Sequence, residues 1–410
     1  MKRIETVRLY PTVRQEAALV HALHVTRHLY NAALQERRDA FRTRRINVSA
    51  KQQYAELTAL RGESIHLRSI YRECEDAVLH RLDLAMAAFF RRIKAGETPG
   101  YPRFKAARRW RQLEFPHGDR ALKLDGHQCK VRIPNVGWVK LRKGRMVPPS
   151  VGRAWLVRKN DRWYAQFECE RAVMPLPFTG VAVGIDRGIN VLLALSNGEH
   201  QTNPEHLNAS RLSIERAQRR VARRKRDGSN RRKALAQLAR LYERVARRRR
   251  DHAHKLSRAI VNAYNAIALE KLQLRNMTRS AKGSADEPGR QVAAKAALNR
   301  AMLDAAFGLI SKLIAEKAEN AARIVRFVDP KYSSQECAGC GYVAASNREG
   351  VRFRCGRCDR ATHADTNAAQ VILKRAEFQP VVSCAGWPDS DDPRTVLSSS
   401  GPRLTRHDAA

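Results

Sequence analysis

The sequence predicts a multidomain α/β protein, and three observations lead to this prediction. At 410 residues the chain exceeds the usual size of one domain. Its texture also changes: helical periodicity dominates residues 12–95, short alternating strands dominate 110–175, and strands alternate with helices beyond residue 181. Two cysteine pairs then indicate a small metal-stabilised module.

The N-terminal part carries a helical pattern behind one opening strand. Residues 3–10 alternate polar and apolar side chains, and Pro11 ends this alternation. Thr12 and Gln15 have the capping-box spacing that begins a helix. Two apolar helical faces follow: Leu19, Leu23, Tyr30 and Leu34 form the first, and Val78, Leu82, Ala85 and Phe89 form the second. Gly and Pro at residues 96–102 then end the helical region.

Short β-like segments follow the break. Segments 130–134, 138–142 and 162–169 alternate and are separated by Gly and Pro, which predicts an antiparallel barrel or sandwich. Strand 3–10 is available to complete this sheet. The prolines at 175–177 mark the predicted boundary to the next domain.

From residue 181 the pattern predicts a sheet with intervening helices. Strands are expected at 181–186, 190–196, 267–270 and 323–328, with Asn197-Gly198 as a hairpin turn. Helices are expected at 209–226, 231–263, 288–320 and 366–376. The first two carry narrow apolar stripes that predict a packed hairpin: Ile214, Ala217 and Val221 on one helix, and Leu235, Leu238, Tyr242 and Val245 on the other. Pro, Ser, Gly and Asp dominate thereafter and predict a disordered tail over 377–410.

The charge of the chain indicates a polyanionic partner. Lys and Arg total 78 against 40 acidic residues, for a net charge of +38. Neutralised phosphates release counterions, so nucleic acid explains this excess better than a small neutral substrate. A basic membrane-surface protein is the alternative, but no amphipathic helix with a bulky apolar face and no membrane-length apolar run supports it. The candidate phosphate contacts lie on the two basic helices: Arg219, Arg220, Arg223, Arg224, Lys225, Arg226, Arg247, Arg248, Arg249 and Arg250.

Four of the eight cysteines have zinc-ligand spacing. Cys337-x-x-Cys340 and Cys355-x-x-Cys358 lie fourteen residues apart, so their thiolates can surround one Zn²⁺ tetrahedrally. Four thiolates leave no open coordination position, which favours a structural role for the zinc; iron is the alternative ion. This cysteine usage and an N-terminus without an apolar signal segment predict a cytoplasmic protein.

Three acidic residues are candidates for a catalytic metal site. Asp186 and Glu270 each end an apolar strand, and Asp365 precedes the last predicted helix. Taken singly, they are typical of a turn, an exposed strand end and a helix N-cap. Together at one edge of a sheet, three carboxylates can hold two Mg²⁺ ions about 4 Å apart, which activate water and stabilise a leaving 3′ oxygen.

A second motif, His252-Ala253-His254, matches the His-hydrophobic-His pattern of tyrosine-dependent nicking enzymes. Those enzymes need a strand that presents both imidazoles to one metal. In this chain the motif lies in a predicted helix, where residues i and i+2 diverge, so the nicking interpretation is disfavoured.

Taken together, these motifs resemble the OrfB/TnpB family, the accessory nucleases of insertion-sequence transposons, which are related to compact CRISPR type V effectors. The likeness extends over residues 1–376. Segments 8–15, 30–31, 99–105 and 133–139 are similar to the family's N-terminal half. Segments 184–188 and 270–277 resemble its first two RuvC motifs, and segments 334–358 and 365–369 resemble its zinc ribbon and third RuvC motif.

The resemblance implies an RNase H-like RuvC nuclease domain over 178–329 and 363–376, with a zinc-ribbon insertion at 330–362 that binds target nucleic acid. It also implies a β-barrel wedge domain over 1–11 and 110–177, and an inserted helical recognition domain over 12–109. The implied partners are a guide RNA and double-stranded target DNA, and the implied reaction is Mg²⁺-dependent hydrolysis by Asp186, Glu270 and Asp365. Two alternatives stay open: a guided DNA-binding regulator without cleavage, and a transposase that joins DNA strands itself.

Overall fold

Residues 2–142, 150–170, 172–284 and 287–378 are described in the computed structural model. They divide into two units, Met1–Met174 with His206–Arg248, and Pro175–Glu205 with Arg249–Ala410. Residues 206–248, which sequence reasoning placed in the nuclease domain, cluster with the first unit. Apart from Glu377 and Phe378, the predicted tail lies outside the described residues.

The helical part of the first unit begins at Thr12. Its hydroxyl accepts a hydrogen bond from the Gln15 amide at 3.3 Å, and the Gln15 side chain accepts one from the Thr12 amide, which confirms the capping box. The face Leu19, Leu23, Tyr30 and Leu34 is buried as predicted, whereas Ala85 and Phe89 are only partly buried. The helices are α1 (Val13–Arg44), α2 (Ala50–Glu63), α3 (Ile65–Arg68) and α4 (Arg72–Lys94).

A seven-stranded antiparallel sheet forms the rest of this core. Its strands are β1 (Lys2–Tyr10), β2 (Gln112–Phe115), β3 (Lys123–Leu124), β4 (Lys130–Ile133), β5 (Gly137–Leu141), β6 (Ser150–Lys159) and β7 (Arg162–Glu170), with α5 (Gly118–Ala121) after β2. The order is β2-β6-β7-β1-β5-β4-β3, so the opening strand pairs inside the sheet. The predicted antiparallel pairing is confirmed, and β2 and β3 stand at opposite ends of the order.

The basic segment forms the predicted helical hairpin. It comprises α6 (Arg211–Ala222) and α7 (Ser229–Ala263), and the Gln218 side chain of α6 donates to the Tyr242 hydroxyl of α7 at 3.0 Å. Ile214, Ala217 and Val221 are buried as predicted. Of the predicted core face of α7, Val245 is buried and Leu238 is half-buried, whereas Leu235 and Tyr242 are exposed and Ala234 is buried instead.

The second unit is built on a five-stranded sheet of order β10-β9-β8-β11-β12. The strands are β8 (Ala182–Asp186), β9 (Val191–Leu195), β10 (His200–Thr202), β11 (Ala266–Glu270) and β12 (Ile324–Val328). β10, β9 and β8 pair antiparallel, whereas β8, β11 and β12 pair parallel. Apolar side chains such as Ile185, Ile267 and Ile314 fill the core beneath this sheet.

The helices of the second unit are α8 (Leu274–Met277), α9 (Val292–Ala305), α10 (Phe307–Asn320) and α11 (Ala364–Arg375). The single helix expected over 288–320 is wrong in one respect: it divides at Ala306, which adopts a left-handed conformation with φ of 57°. A small sheet of β13 (Arg348–Glu349), β14 (Arg352–Arg354) and β15 (Ala361–His363) precedes α11. Within the described ranges, no helix combines the length and the apolar character needed to cross a membrane.

Candidate functional site

The ends of two neighbouring parallel strands bring Asp186 and Glu270 together. β8 pairs with β11 so that Ile185 lies opposite Leu269, and the next residue of each strand therefore leaves the same edge of the sheet. The two carboxyl groups lie close enough for the charge of Glu270 to raise the pKa of Asp186. Glu270 is only 6% exposed and the whole of β11 is buried, so the strand fixes this carboxylate firmly.

Asp365 reaches the same edge because α11 packs directly against β8. A Cβ atom at position 184 would overlap the Ala369 carbonyl and lie 2.7 Å from the Leu373 amide nitrogen, so the approach requires glycine. Asp365 lies in the first turn of α11, where its amide donates to the His363 imidazole at 3.3 Å. Its carboxylate is near enough to Asp186 to raise the pKa of that group.

The three carboxylates oppose one another electrostatically. Burial raises the pKa of Asp186 to about 7, and the negative charges of Glu270 and Asp365 act in the same direction. Burial also raises the pKa of Glu270, although a hydrogen bond from Ser333 at 3.0 Å and the nearby Arg187 oppose this shift. Buried like charges of this kind favour a bound cation, and oxygen ligands suit a hard divalent ion.

The carboxylates are spread more widely than the ligands of a single ion. In the described part of the chain, only the four paired cysteines place all their ligand atoms within 4.8 Å of one another. Arg348 of β13 lies beside the three acidic residues, and its guanidinium donates to the Asp365 carboxylate at 2.8 Å. The positive charge of Arg348 also opposes the rise in the pKa of Asp186, so it offsets part of the negative charge of the three carboxylates.

Arg187 is a buried cation that contacts the residues around the carboxylates. Its side chain is 9% exposed, and its guanidinium donates to the Ser311 hydroxyl on α10 and to the backbone carbonyl of Glu270. Burying a guanidinium is costly unless it is paired, and the charges of Glu270 and Asp186 supply that pairing. The sequence analysis did not identify Arg187 as a site residue. The sequence places it next to Asp186, but does not reveal that its side chain points into the protein.

The four predicted zinc ligands come together as one group. The Sγ atoms of Cys337 and Cys358 lie 3.7 Å apart, and those of Cys340 and Cys355 lie 3.5 Å apart. Tetrahedral zinc with bonds of about 2.3 Å places its sulfur ligands about 3.8 Å apart, so the geometry fits this ion. Backbone amides of Gly339 and Arg357 point at two of the sulfurs.

Two asparagines connect the cysteine group to its surroundings. Fully buried Asn367 on α11 accepts from the Ala338 amide at 3.0 Å and donates to the Glu336 carbonyl at 2.6 Å. Asn347 accepts from the Gly356 amide at 3.0 Å and donates to the Gln335 carbonyl at 2.9 Å. The cysteine group is therefore fastened to the helix that carries Asp365, two residues before Asn367.

The predicted phosphate contacts differ in their surroundings. Those at the end of α6 and in the turn after it are exposed: Arg219, Arg220, Arg223, Arg224, Lys225 and Arg226. On α7, Arg247, Arg248 and Arg250 are exposed, whereas Arg249 is half-buried and pairs with Asp304 at 2.6 Å. His252 and His254 lie within α7, where residues two apart diverge, as expected for a helical rather than a strand-borne motif.

Three parts of the chain match family models. Residues 166–281 match the OrfB_IS605 family, described as "Probable transposase". Residues 307–372 match "Cas12f1-like, TNB domain". Residues 1–45 match the "Helix-turn-helix domain" of OrfB_IS605, although these residues form β1 and one continuous helix, α1.

Individual proteins are similar over most of the chain. A protein of Streptomyces pristinaespiralis named "Putative RNA-guided DNA endonuclease" is 30% identical over 411 residues, which cover 97% of this chain and 95% of that protein. The "Putative RNA-guided DNA endonuclease InsQ" of Escherichia coli (strain K12) is 29% identical over 329 residues, covering 78% and 79% of the two chains. A solved structure of the mini-RNA-guided endonuclease CRISPR-Cas_phi3 has a TM-score of 0.54 at 9% identity, with 92% of each chain covered, which shows a shared fold alone.

Proposed function

Since this chain belongs to the OrfB family of IS605 transposons, we propose that it is an RNA-guided endonuclease that hydrolyses phosphodiester bonds of target DNA. The observation that carries the proposal is the convergence of Asp186, Glu270 and Asp365 at one end of β8. The net charge of +38 supports a nucleic-acid partner. The names of the two relatives support RNA as the guide and DNA as the substrate.

The sheet order supports an RNase H-like RuvC domain over 178–329 and 363–376, in which residues 206–248 are an insertion that clusters with the first unit. Three antiparallel strands are extended by two parallel ones, and the acidic residues end the two central parallel strands. We assign 330–362 to a zinc ribbon that contacts target nucleic acid. The antiparallel sheet of the first unit is assigned to a wedge domain, 1–11 with 110–177, and the helices of 12–109 to a recognition domain.

Asp186, Glu270 and Asp365 hold Mg²⁺ in this proposal, two ions in the fully loaded site. When bound, Mg²⁺ supplies the charge that activates water and stabilises the leaving 3′ oxygen. Glu270 is the fixed member because β11 is buried throughout. Asp186, whose pKa burial raises to about 7, gives up its proton as the site fills. Arg348 compensates the charge of Asp365 until then.

The four cysteines hold a structural Zn²⁺ in this proposal. Four thiolates complete a tetrahedral shell, so the zinc has no position left for substrate or water. Through Asn367 the zinc-bound segment steadies the first turn of α11. Specificity in a guided enzyme comes from pairing between guide RNA and target strand, so the protein itself needs chiefly backbone contacts from its exposed arginines.

A cleavage assay with matched variants tests the proposal. The chain is purified with its co-purifying RNA, that RNA is sequenced, and plasmid DNA containing its complement is supplied with Mg²⁺. Wild-type protein should cut the matched plasmid, and Asp186→Asn should lose cutting while it retains RNA. Asp161→Asn, a change at an exposed aspartate in a surface turn of the first unit, should cut normally.

Cutting by Asp186→Asn at the wild-type rate would remove the catalytic assignment. Guided DNA binding without cutting at saturating Mg²⁺ would identify a regulator instead. The family description "Probable transposase" motivates one further arm, transposon-end DNA without RNA. A strand-transfer product in that arm would support direct recombination by this chain.

A further inference from the structure

An exposed aromatic cluster lies at the end of α4, in the first unit. The rings of Phe89 and Phe90 have centroids 5.2 Å apart, and Phe89 and Tyr101 are also 5.2 Å apart. Phe89 is half-buried and supports the other two rings. Phe90 is 56% exposed and Tyr101 is 40% exposed, so two flat apolar faces are open to solvent.

The segment that carries Tyr101 is held in place at its far end. The Asn31 side chain accepts from the Lys105 amide at 2.8 Å and donates to the Lys105 carbonyl at 3.2 Å. The Lys105 ammonium also lies over the Tyr30 ring, 5.5 Å from its centroid. Anchoring to α1 at one end and packing on Phe89 at the other preorganises the exposed faces, which lowers the cost of binding.

Cations surround the cluster almost without acidic partners. Residues 91–111 contain eight basic side chains and one acidic one, Glu97. Arg91, Lys94 and Arg103 are exposed. A side chain at Gly100 would come within 3.8 Å of the Arg92 guanidinium, so this cation lies beside the Tyr101 segment.

We propose that this aromatic–basic surface, formed by Phe90, Tyr101 and the cations of 91–105, binds unpaired bases of the guide RNA. Exposed rings stack on any base and neighbouring cations neutralise the phosphates, which is how single strands are held without sequence preference. A second copy of the chain is a poor occupant, because it would bring the same positive charge to the interface. Naming the guide RNA as the strand rests on the proposed function, in which RNA is bound before any DNA strand is opened.

Photo-cross-linking of the full chain tests the surface directly. The probe is a single-stranded RNA of mixed sequence that contains 5-iodouridine, which cross-links to an aromatic ring stacked on it. Peptide mass spectrometry should place the cross-link on Phe90 or Tyr101. A fully paired RNA duplex with the same label should give little product at these residues, because its bases are stacked internally.

Variants then separate stacking from charge. Phe90→Leu with Tyr101→Leu should weaken single-stranded RNA binding about tenfold without changing its salt dependence, since stacking carries no charge. Arg91→Gln with Arg92→Gln should flatten the salt dependence. Phe178→Leu is the matched control, because Phe178 is 49% exposed but lies in the uncharged stretch 172–181.

Three results would overturn the inference: no cross-link within residues 89–105, equal cross-linking of single-stranded and duplex RNA, or cross-linking with single-stranded DNA alone. Concentration-dependent dimers of the RNA-free chain that the Phe90→Leu, Tyr101→Leu variant loses would assign the surface to a second copy. The mapped cross-link on the unaltered chain does not depend on any variant folding. Guided cleavage without the cross-link would contradict this inference but not the proposed function. The cross-link without guided cleavage would contradict the proposed function and leave an RNA-binding surface.

Discussion

The guanidinium of Arg187 donates a hydrogen bond to the backbone carbonyl oxygen of Glu270. Arg187 directly follows Asp186, so one side chain connects the ends of the two strands that carry acidic residues. Its second contact, the Ser311 hydroxyl, belongs to α10 on the far side of the sheet end. A cation that is only 9% exposed therefore bridges the two strand ends that carry the Asp186 and Glu270 carboxylates.

Replacing Arg187 by Lys should weaken this bridge. Lysine keeps the charge but cannot reach both acceptors at once, so we expect kcat for guided cleavage to fall about tenfold or more, with KM for DNA unchanged. Mn²⁺ binding followed by electron paramagnetic resonance should weaken in parallel. Arg323→Lys is the control: Arg323 is equally buried and donates to the Pro177 and Val261 carbonyls at the opposite end of β12. Equal Mn²⁺ affinity in Arg187→Lys and wild type would contradict the positioning role.

Metal binding should depend on pH around neutrality. Burial, then Glu270 and Asp365, raise the pKa of Asp186 from 3.8 to about 7, so below pH 7 an incoming ion must displace a proton. Apparent Mg²⁺ affinity should fall up to about tenfold per pH unit below 7. Because the folded state holds this proton more tightly than the unfolded state, the metal-free protein should also lose stability as pH rises from about 4 to 7. Calorimetric titration of Mg²⁺ into the protein, in two buffers of different ionisation enthalpy, measures the protons released on binding. Asp186→Asn should release none from this group. Absence of proton release from the wild-type protein at pH 6.5 would contradict the prediction.

Loss of zinc should weaken cleavage, although the cysteines lie outside the carboxylate site. Cys355→Ser removes a buried ligand, and the freed segment should release both the Asn367 contacts and the Arg348–Asp365 ion pair. We expect zinc content to fall and guided cleavage to drop at least about tenfold at saturating Mg²⁺. Cys129→Ser, at a partly buried cysteine outside the group, should change neither measurement. Full cleavage by a zinc-free variant would show that the two sites are independent.

Gly184→Ala should destabilise the second unit severely. The added methyl group would meet the backbone of α11 at Ala369 and Leu373, which cannot yield without moving Asp365. Overpacking of this kind costs about 3 kcal/mol in the free energy of unfolding, measurable by urea denaturation of the second unit's transition. Gly126→Ala, where a Cβ atom would have no neighbour within 4 Å, should leave that transition unchanged. A shift below about 0.5 kcal/mol for Gly184→Ala would mean that the helix is free to move away.

The exposed arginines of α6 and the following turn should set the salt dependence of RNA binding. Replacing Arg219, Arg220, Arg223 and Arg224 by Gln should reduce the slope of log affinity against log salt by up to about 3, since each single-strand phosphate contact contributes about 0.7. Arg249→Gln provides the comparison, because Arg249 is paired with Asp304 at 2.6 Å. That variant should lose stability while the slope stays constant. An unchanged slope in the fourfold variant would place the RNA elsewhere.

Local sequence signals predicted the parts of the fold that depend on neighbouring residues. The Thr12–Gln15 capping box and the strands that end at Asp186 and Glu270 follow from short-range patterns, and the structure has them where expected. The four cysteines also come together because knuckle spacing itself enforces proximity.

Features that depend on distant partners were not predictable in the same way. The division at Ala306 has no local signal, because alanine favours a continuing helix and yet this residue adopts a left-handed conformation. The inward direction of Arg187 and the pairing of Arg348 with Asp365 depend on side chains 124 and 17 residues away. In α7 the predicted face is confirmed at Val245 but not at Leu235 and Tyr242, because periodicity does not fix which edge of an apolar stripe packs inward.

β11 lies between two parallel neighbours, β8 and β12, and all five of its residues are buried. Evolution therefore has little latitude in this strand, even at positions that bear no functional group. Ala268 has no exposed surface, and a bulkier residue there would displace the backbone two residues before Glu270. Replacement of one buried apolar residue of β11 by a larger one would thus remove cleavage activity as readily as replacement of a carboxylate.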